Sequence, residues 1–486
     1  MTPTTVEALA GFVADHARRA LPDDVNDYAK LVLLDTVVAG LGAVATERGR
    51  MAARLAARMA GGDSASVFGS PERTTVTSAA YANADLMNVL DADETFFNGA
   101  HFAAMGIAAA LAQAESRHAS GAELVRATAL SFEVSARLNL GTSLMEYDGN
   151  TFRFSKLSSH GYAALGAVAG YGVVSGFDAH RYGNAFGLAT WLAPTAKNGF
   201  MSQRRRFNSL KYAPNGQIAA AGVTAAMMAE EGYEGDLTTL DTEPGFFEAQ
   251  GYFSGSRAAI LAELGTKWWI TETSLKPYPA CRYTNAALDA LLDLQRRENI
   301  GADDIERIEI RLSPAAYSIS QFRDPLRDIP ADHVAPFHGQ FNAPQLAAVA
   351  LLGIPPGPKW FEPSLSQDPA VRALAAKVST APDPQLAEEW QQTITSGTGE
   401  KVRRTRGSLT VLARGKEHVV ESDYAMGDPW SDQTRADWDF VANKLDSFCG
   451  DILDSGQRRT LLRTVRDLES VADVATELAP LWRAAG

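Results

Sequence analysis

The chain has 486 residues, of which 46% are hydrophobic and 21% charged, so it has the composition of a globular protein and the length for two or more hydrophobic cores. Its formal net charge of −13 argues against a nucleic-acid-binding surface, and we expect no nucleic-acid partner. Its two cysteines, Cys281 and Cys449, are too few for a disulfide framework or for the ligands of an iron–sulfur cluster, and they favour a cytoplasmic location.

The sequence predicts neither a targeting segment nor a membrane span. Residues 1–20 include Glu7 and Asp15 and lack the continuous apolar run of a signal peptide. No stretch of about 18 apolar residues without a charge occurs in the chain. We therefore expect no membrane partner.

Helical spacing of apolar residues dominates roughly the first 265 residues. Helices are predicted from residue 5, from residue 23 towards Gly40, and at 122–138, 160–170, 181–192 and 217–231. Glycines at positions 166, 170 and 172 lack a preceding strand, so we interpret them as sites of tight helix packing and not as a dinucleotide-binding loop.

The pattern changes near residue 269. Prolines lock an extended segment at 274–281, and a helix at 285–297, a strand at 305–312 and a β-hairpin made of 407–413 and 418–422 follow. Helices return at 438–445 and 459–468. The predicted fold is therefore mainly α, with a helical domain formed by residues 1–268 and 427–486 and a smaller α+β lid domain, residues 269–426, inserted between them.

Side chains that can do chemistry are concentrated at residues 83–101. Asp91, Asp93, Glu94, Thr95 and His101 precede an alanine-rich run at 102–112, which predicts a buried helix with the histidine at its start. Free N–H groups at a helix N-terminus stabilise anions and favour a neutral imidazole that can act as a base. Acidic residues ahead of an apolar helix are also ordinary caps, so an acid/base site and a structural cap both stay open here.

Two more polar residues lead into helices rich in small residues. His160 and Lys211 repeat the design seen at His101, so we expect three helix starts to converge on one cavity that binds carboxylates. The arginine run at 204–206 fits a solvated loop at least as well as a ligand-binding one.

The predicted lid adds three candidates. Lys276 and Arg282 flank a rigid Pro-Tyr-Pro segment, where a basic pair can clamp an anionic substrate and exclude water, and Tyr317 follows a predicted strand. The chain has no His-x-x-x-His or Cys-x-x-Cys spacing, so we expect no metal.

Five sequence blocks resemble, in the same order, the MmgE/PrpD family, which includes 2-methylcitrate dehydratase, cis-aconitate decarboxylase and iminodisuccinate epimerase. The blocks are Leu-Pro to Asp at 21–35, Asn-x7-Asp-x-Asp-Glu-Thr-x5-His at 83–101, His-Gly at 160–161, Lys-x4-Gly-x5-Gly at 211–222, and Lys-Pro-Tyr-Pro-x-Cys-Arg at 276–282. The resemblance covers essentially the full length, and the last block is its most specific part.

The resemblance implies a homodimer and cofactor-free chemistry on a small di- or tricarboxylate, in a cleft between a helical domain and an α+β lid. With the analysis of the residues it gives the expected catalytic residues His101, His160, Asp91 and Lys211, and the expected substrate-binding residues Thr95, Lys276, Tyr317 and Arg282. Either histidine can serve as the base, with the other as the acid.

Some positions near these residues depart from the family pattern. They are Asn88, Asn285, residues 212–214 and residues 342–345. The substrate therefore stays open. We rank a lyase that dehydrates or hydrates a 2-methylcitrate-like acid first. Decarboxylation of the cis-aconitate type and epimerisation of the iminodisuccinate type come next, and a non-catalytic carboxylate-binding protein is the alternative from another class.

Overall fold

The computed structural model of the protein describes residues 2–59, 61–97, 99–143, 145–147, 152–154, 160–195, 214–313, 316–317, 336–395 and 401–483. Helices dominate these residues, which confirms the predicted mainly α fold.

The first half is helical. Its helices are α1 (Thr5–His16), α2 (Asp23–Val44), α3 (Glu47–Met59), α4 (Val76–Val89), α5 (Ala103–Arg117), α6 (Gly121–Gly141), α7 (Ala163–Ser175), α8 (Ala179–Leu192), α9 (Pro214–Glu230), α10 (Phe246–Ala249) and α11 (Arg257–Leu261). Short strands pair as β1 (Ala65–Ser66) with β2 (Arg73–Thr74), β3 (Thr142–Ser143) with β6 (Ser254–Gly255), and β4 (Met145–Tyr147) with β5 (Phe152–Phe154). The helices predicted from apolar spacing are present, whereas α3, α4, α10 and α11 were not predicted.

Close packing of α5, α6 and α7 forms the centre of this half. The residues of α7 from Ala163 to Val174 are buried, as expected for a helix that is apolar on all sides. A Cβ on Gly166 would lie 2.0 Å from Oγ of Ser135 on α6, so only glycine permits this approach. The interpretation of the glycines on α7 as packing sites is confirmed.

The second half contains a four-stranded sheet. Helix α12 (Arg282–Glu298) leads to β7 (Ile305–Leu312), and β8 (Val378–Pro382), β9 (Gly407–Ala413) and β10 (Lys416–Ser422) complete the order β10-β9-β7-β8. Strand β8 is parallel to β7, and the other pairs are antiparallel. The predicted hairpin of β9 and β10 is confirmed, with positive φ at Arg414 and Gly415 in its two-residue turn.

Further helices follow in the second half and at the end of the chain. The α-helices are Ala343–Leu351, Pro363–Gln367, Pro369–Ala375, Pro384–Thr395, Trp438–Cys449 and Ser455–Arg466. Short 3₁₀ and π segments are Trp269–Glu272, Ala302–Asp304, Pro336–Phe341, Pro358–Phe361, Leu468–Ser470, Val474–Leu478 and Ala479–Leu481. The sheet lies within the predicted lid region, and the division into body and lid stays a prediction.

Within the described residues no single helix is both long and apolar enough to cross a membrane. Among the residues that the structure describes, α2 and α3 pass such a test of length and composition only together, as a pair bent by 94°.

Candidate active site

The predicted acid/base residues lie on the connection between α4 and α5, which we call the active-site loop (residues 90–102). The loop begins just after Val89 and carries Asp91, Asp93, Glu94 and His101. All four are buried, and Asp91 has a left-handed backbone with φ of 54°. Since buried charged groups are stable only when paired, the contacts of these side chains determine what the loop can do.

His101 is held in one tautomer. Its Nδ1 lies 2.7 Å from the backbone carbonyl oxygen of Glu94. Because a carbonyl can only accept a hydrogen bond, Nδ1 carries the proton and Nε2 of the neutral ring holds the lone pair. Nε2 lies 3.5 Å from Oδ1 of Asp91, and Nδ1 lies 3.7 Å from Oδ1 of Asp93. These two carboxylates stabilise the imidazolium that forms when Nε2 takes a proton.

Glu94 occupies the start of α5. Its Oε1 accepts hydrogen bonds from the backbone N–H groups of Phe102 and Ala103, each at 2.8 Å. Of the two interpretations left open for this helix start, the structural cap therefore holds for Glu94, which occupies both N–H groups. Burial and the nearby Asp93 raise the pKa of Glu94 well above its usual range, although the two N–H groups act in the opposite direction.

Lys276 forms a buried ion pair with Asp91. Its Nζ lies 2.6 Å from Oδ1 of Asp91 and also donates to the backbone carbonyl of that residue. Both side chains are 1% exposed. A left-handed backbone costs a residue with a Cβ about 1–2 kcal/mol, and the ammonium group stabilises Asp91 in that conformation. In this structure Lys276 binds the protein's own carboxylate, so its role as a ligand of the substrate stays a prediction.

Thr95 joins the loop to the segment that carries Lys276. The backbones of Thr95 and Ser274 exchange two hydrogen bonds, of 2.8 and 3.0 Å, in an antiparallel bridge. The buried Oγ1 of Thr95 has no hydrogen-bond partner among the described residues. A buried hydroxyl is costly without a partner, which is consistent with the predicted role of Thr95 as a substrate ligand.

Arg282, predicted to bind the substrate, donates to the protein backbone. Its Nη1 donates to the carbonyls of Phe97 and Val402, and its Nη2 lies 2.7 Å from the carbonyl oxygen of Arg403. The guanidinium also lies over the ring of Trp430, 4.9 Å from the centroid. These contacts favour a structural role, and a role in substrate binding stays a prediction.

Two asparagines, one of them already noted as a departure from the family pattern, fix Asp93. Nδ2 of Asn88 lies 2.8 and 2.7 Å from the two carboxylate oxygens of Asp93. Nδ2 of Asn215, in the first turn of α9, donates to Oδ1 of Asn88 at 2.5 Å. Asn215 was not among the predicted residues, and its position inside the lysine block at 211–222 was its only signal in the sequence.

The ring of Tyr162 contacts both His160 and the residue next to His101. The ring of Phe102, next to His101, has its centroid 6.1 Å from that of Tyr162, two residues after His160. The rings of His160 and Tyr162 are 5.9 Å apart. The starts of α5 and α7 are therefore neighbours. These are two of the three helix starts that were expected to converge, and the third, at Lys211, lies outside the described residues.

The ligand atoms of Asp91, Asp93 and His101 all lie within 4.8 Å of one another, a grouping that can hold a metal ion by distance alone. Asp91 already pairs with Lys276, and both oxygens of Asp93 accept from Asn88. Nδ1 of His101 carries a proton that it donates to Glu94. Their atoms are already engaged in these contacts within the protein, and we assign no metal to the group.

Models of two domains of one family match the chain. The MmgE/PrpD N-terminal domain matches residues 7–259, and the MmgE/PrpD C-terminal domain matches residues 278–470. The chain belongs to the MmgE/PrpD family. Cis-aconitate decarboxylase from Homo sapiens is 26% identical over 391 residues, which cover 78% of this chain and 76% of that protein. The family and this relative support a lyase-type function.

The remaining predicted residues divide into two groups. Lys211 and the arginine run at 204–206 lie outside the described residues. Tyr317 is half-buried just after β7, with its backbone N–H bonded to the carbonyl of Ser313, and its role stays a prediction. The MmgE/PrpD domain matches include the active-site loop, His160, Lys211 and Tyr317, whereas Lys276 falls between the two matches.

Proposed function

We propose that this MmgE/PrpD protein is a cofactor-independent lyase that moves a proton at the carbon next to a carboxylate of a small di- or tricarboxylic acid. The observation that carries the proposal is the geometry of His101, whose Nδ1 is fixed by the Glu94 carbonyl and whose Nε2 faces Asp91. A ring nitrogen with an oriented lone pair, beside a carboxylate that stabilises its protonated form, has the properties of a general base.

The chemistry requires only proton transfer and charge stabilisation. A C–H bond next to a carboxylate is weakly acidic, so the proton leaves to a positioned base while the electron pair moves into the carboxylate. In a dehydration, Nε2 of His101 takes the proton and the C–O bond at the neighbouring carbon breaks. His160 then gives a proton to the departing hydroxide, and the products are an alkene acid and water. We assign Lys211, together with Lys276, to the carboxylates of the substrate.

Dehydration or hydration of a 2-methylcitrate-like acid is the first candidate. Decarboxylation of a cis-aconitate-like acid is the second, and the relative named cis-aconitate decarboxylase favours it. In that reaction the bond to a carboxyl carbon breaks, carbon dioxide leaves with no electrons from the bond, and a protonated His101 gives its proton to the remaining carbon. Epimerisation of the iminodisuccinate type would use one histidine on each face of the carbon.

We also propose that the enzyme is a homodimer, as the family resemblance implies, and that it is cytoplasmic, as its two cysteines favour. Light scattering after size exclusion would give twice the chain mass of 52.0 kDa for a dimer. A mass of one chain would overturn the dimer.

Proton NMR in heavy water tests the reaction. The purified protein is incubated separately with 2-methylcitrate, citrate, cis-aconitate and an aminodicarboxylate mixture. We expect one acid to exchange an α proton for deuterium and to give product, and the product identifies the reaction. Silence across the panel, together with a ligand-induced thermal shift, would instead support the carboxylate-binding protein.

His101→Asn is the decisive variant. General acid–base catalysis contributes about 10²–10⁴-fold, so exchange should fall by at least about 100-fold. The matched control is His118→Asn at the other end of α5, where the histidine is exposed and has a left-handed backbone that asparagine tolerates. Equal exchange in wild type and His101→Asn would exclude His101 as the base.

A further inference from the structure

Lys444 lies on the helix Trp438–Cys449, far from the active-site loop in sequence, yet it contacts this loop. Its Nζ lies 2.6 Å from Oδ1 of Asp35 on α2 and 2.5 Å from the backbone carbonyl oxygen of Ala92. The side chain of Lys444 is 2% exposed and that of Asp35 is fully buried. A lysine buried this deeply is stable only with an anionic partner, which Asp35 provides.

The carbonyl that Lys444 binds belongs to the peptide that joins Ala92 to Asp93, and it lies between the two aspartates of the active site. The preceding carbonyl, of Asp91, accepts a hydrogen bond from Lys276. Two consecutive carbonyls of the loop therefore each accept from a buried ammonium group, and the two lysines come from separate parts of the chain. Hydrogen bonds from a charged donor are about twice as strong as neutral ones, so this arrangement holds the backbone of residues 91 and 92 firmly.

The direction of this backbone determines where the two carboxylates point. Asp91 and Asp93 flank Ala92, and their Oδ1 atoms lie 3.5 Å from Nε2 and 3.7 Å from Nδ1 of His101. A rotation of the intervening peptide would move both carboxylates relative to the imidazole. The hydrogen bonds of Lys444 go to Asp35 and to this backbone, so we expect it to act on catalysis mainly through the peptide, while its positive charge also acts on Asp93.

We propose that Lys444, held in place by Asp35, is a positioning residue of the active site that fixes the peptide between Asp91 and Asp93. The proposal rests on the proposed proton-transfer function for its catalytic consequence. Neither residue was among the expected active-site residues.

A buried ion pair elsewhere provides the matched control. Nη2 of Arg48 on α3 lies 2.7 Å from both carboxylate oxygens of Asp85 on α4, and the two side chains are 7% and 2% exposed. Removing Arg48 also leaves a buried carboxylate without its cation. Asp85, the partner of Arg48, lies on a helix and not on the active-site loop, so Arg48→Met reports the effect of lost stability alone.

The experiment compares Lys444→Met, the double variant Asp35→Asn/Lys444→Met and Arg48→Met with wild type. The double variant leaves no unpaired buried charge, so it tests the proposal even if Lys444→Met fails to fold. The readouts are kcat and KM on the acid that wild type turns over, and amide hydrogen exchange of the peptide that covers residues 88–103.

We expect both Lys444 variants to lower kcat by about 10–100-fold with KM within about twofold, because a misplacement of about 1 Å costs up to about 100-fold. Exchange in the 88–103 peptide should become faster. In Arg48→Met, kcat should stay within about twofold of wild type despite a lower melting temperature.

Unchanged loop exchange in the Lys444 variants would overturn the proposal, as would a loss of kcat no larger than in Arg48→Met. If wild type turns over no acid of the panel, the proposed function fails by itself. Faster loop exchange would then still support the positioning role, and unchanged exchange would still overturn it.

Discussion

Arg282 illustrates how a single buried cation can serve the fold while it lies close to the site. Three backbone carbonyls accept from its guanidinium, and the plane of Trp430 lies against it. Arginine offers five donors in a rigid fork, whereas lysine has three on one atom. A residue engaged in this way stabilises the region where residues 97 and 402–403 meet.

We therefore expect Arg282→Lys to lower the free energy of unfolding by about 2–4 kcal/mol, because buried carbonyls lose their donors. The KM of the substrate should change by less than about twofold. Urea unfolding and steady-state kinetics measure the two quantities. The matched control is Arg137→Lys. Like Arg282, Arg137 is buried and donates to backbone carbonyls, of which it has four. A tenfold rise in KM without loss of stability would restore the predicted substrate clamp.

At the scale of elements, α5 depends on a side chain that precedes it by nine residues. Glu94 caps the helix with its carboxyl group and fixes the tautomer of His101 with its carbonyl. One residue thus determines both the start of the helix and the proton position on the ring. Helix α5 could be predicted from the sequence because its apolar run is local. The identity of its cap could not be predicted, because Asp91 and Asp93 are equally suitable caps by residue type.

Glu94→Ala should lower the free energy of unfolding by about 1–2 kcal/mol, as the loss of a helix cap does, and kcat should fall with it. Glu94→Gln should be close to wild type at pH 7. Burial raises the pKa of Glu94 well above its usual range and so favours an uncharged side chain at this position, and glutamine has the same shape and keeps an oxygen that can accept both N–H groups. Urea unfolding and NMR exchange test both variants. A Glu94→Gln protein as unstable as Glu94→Ala would show that the carboxylate is required.

At the scale of the whole molecule, the active site is assembled from segments that are distant in sequence. The contact between Lys276 and Asp91 spans 185 residues, and that between Lys444 and Ala92 spans 352. Motif spacing located Asp91 and His101, because one loop carries them. It gave no signal for Lys444, because helical periodicity shows that a face is buried but not which residue it contacts. For the same reason the sequence did not predict that β8 pairs with β7, since the two parallel strands are 70 residues apart in the chain.

The half-buried carboxyl group of Asp289 makes the stability of the molecule depend on pH. Asp289 on α12 accepts from the hydroxyl of Tyr278 at 2.6 Å and from the backbone N–H of Met426 at 2.7 Å, so it links three segments of the second half. Burial raises its pKa from 3.8 to about 6, and the negative charge of Asp428 acts in the same direction. These effects exceed the lowering by its two hydrogen bonds and Arg296.

An acid whose pKa is raised by folding binds its proton more tightly in the native state than in the unfolded chain. Its contribution is therefore complete below about pH 4 and is lost as the pH rises through about 6. Two pKa units correspond to about 3 kcal/mol.

We expect the unfolding free energy of wild type, minus that of Asp289→Asn, to fall by up to this amount from pH 4 to 7 and then to stay level. The control is Asp293→Asn on the same helix, where Asp293 is half-exposed, and its difference should stay within about 0.5 kcal/mol. Urea unfolding at five pH values gives both curves, and a wild-type advantage over Asp289→Asn that grows with pH would show that the native state favours the ionised carboxylate.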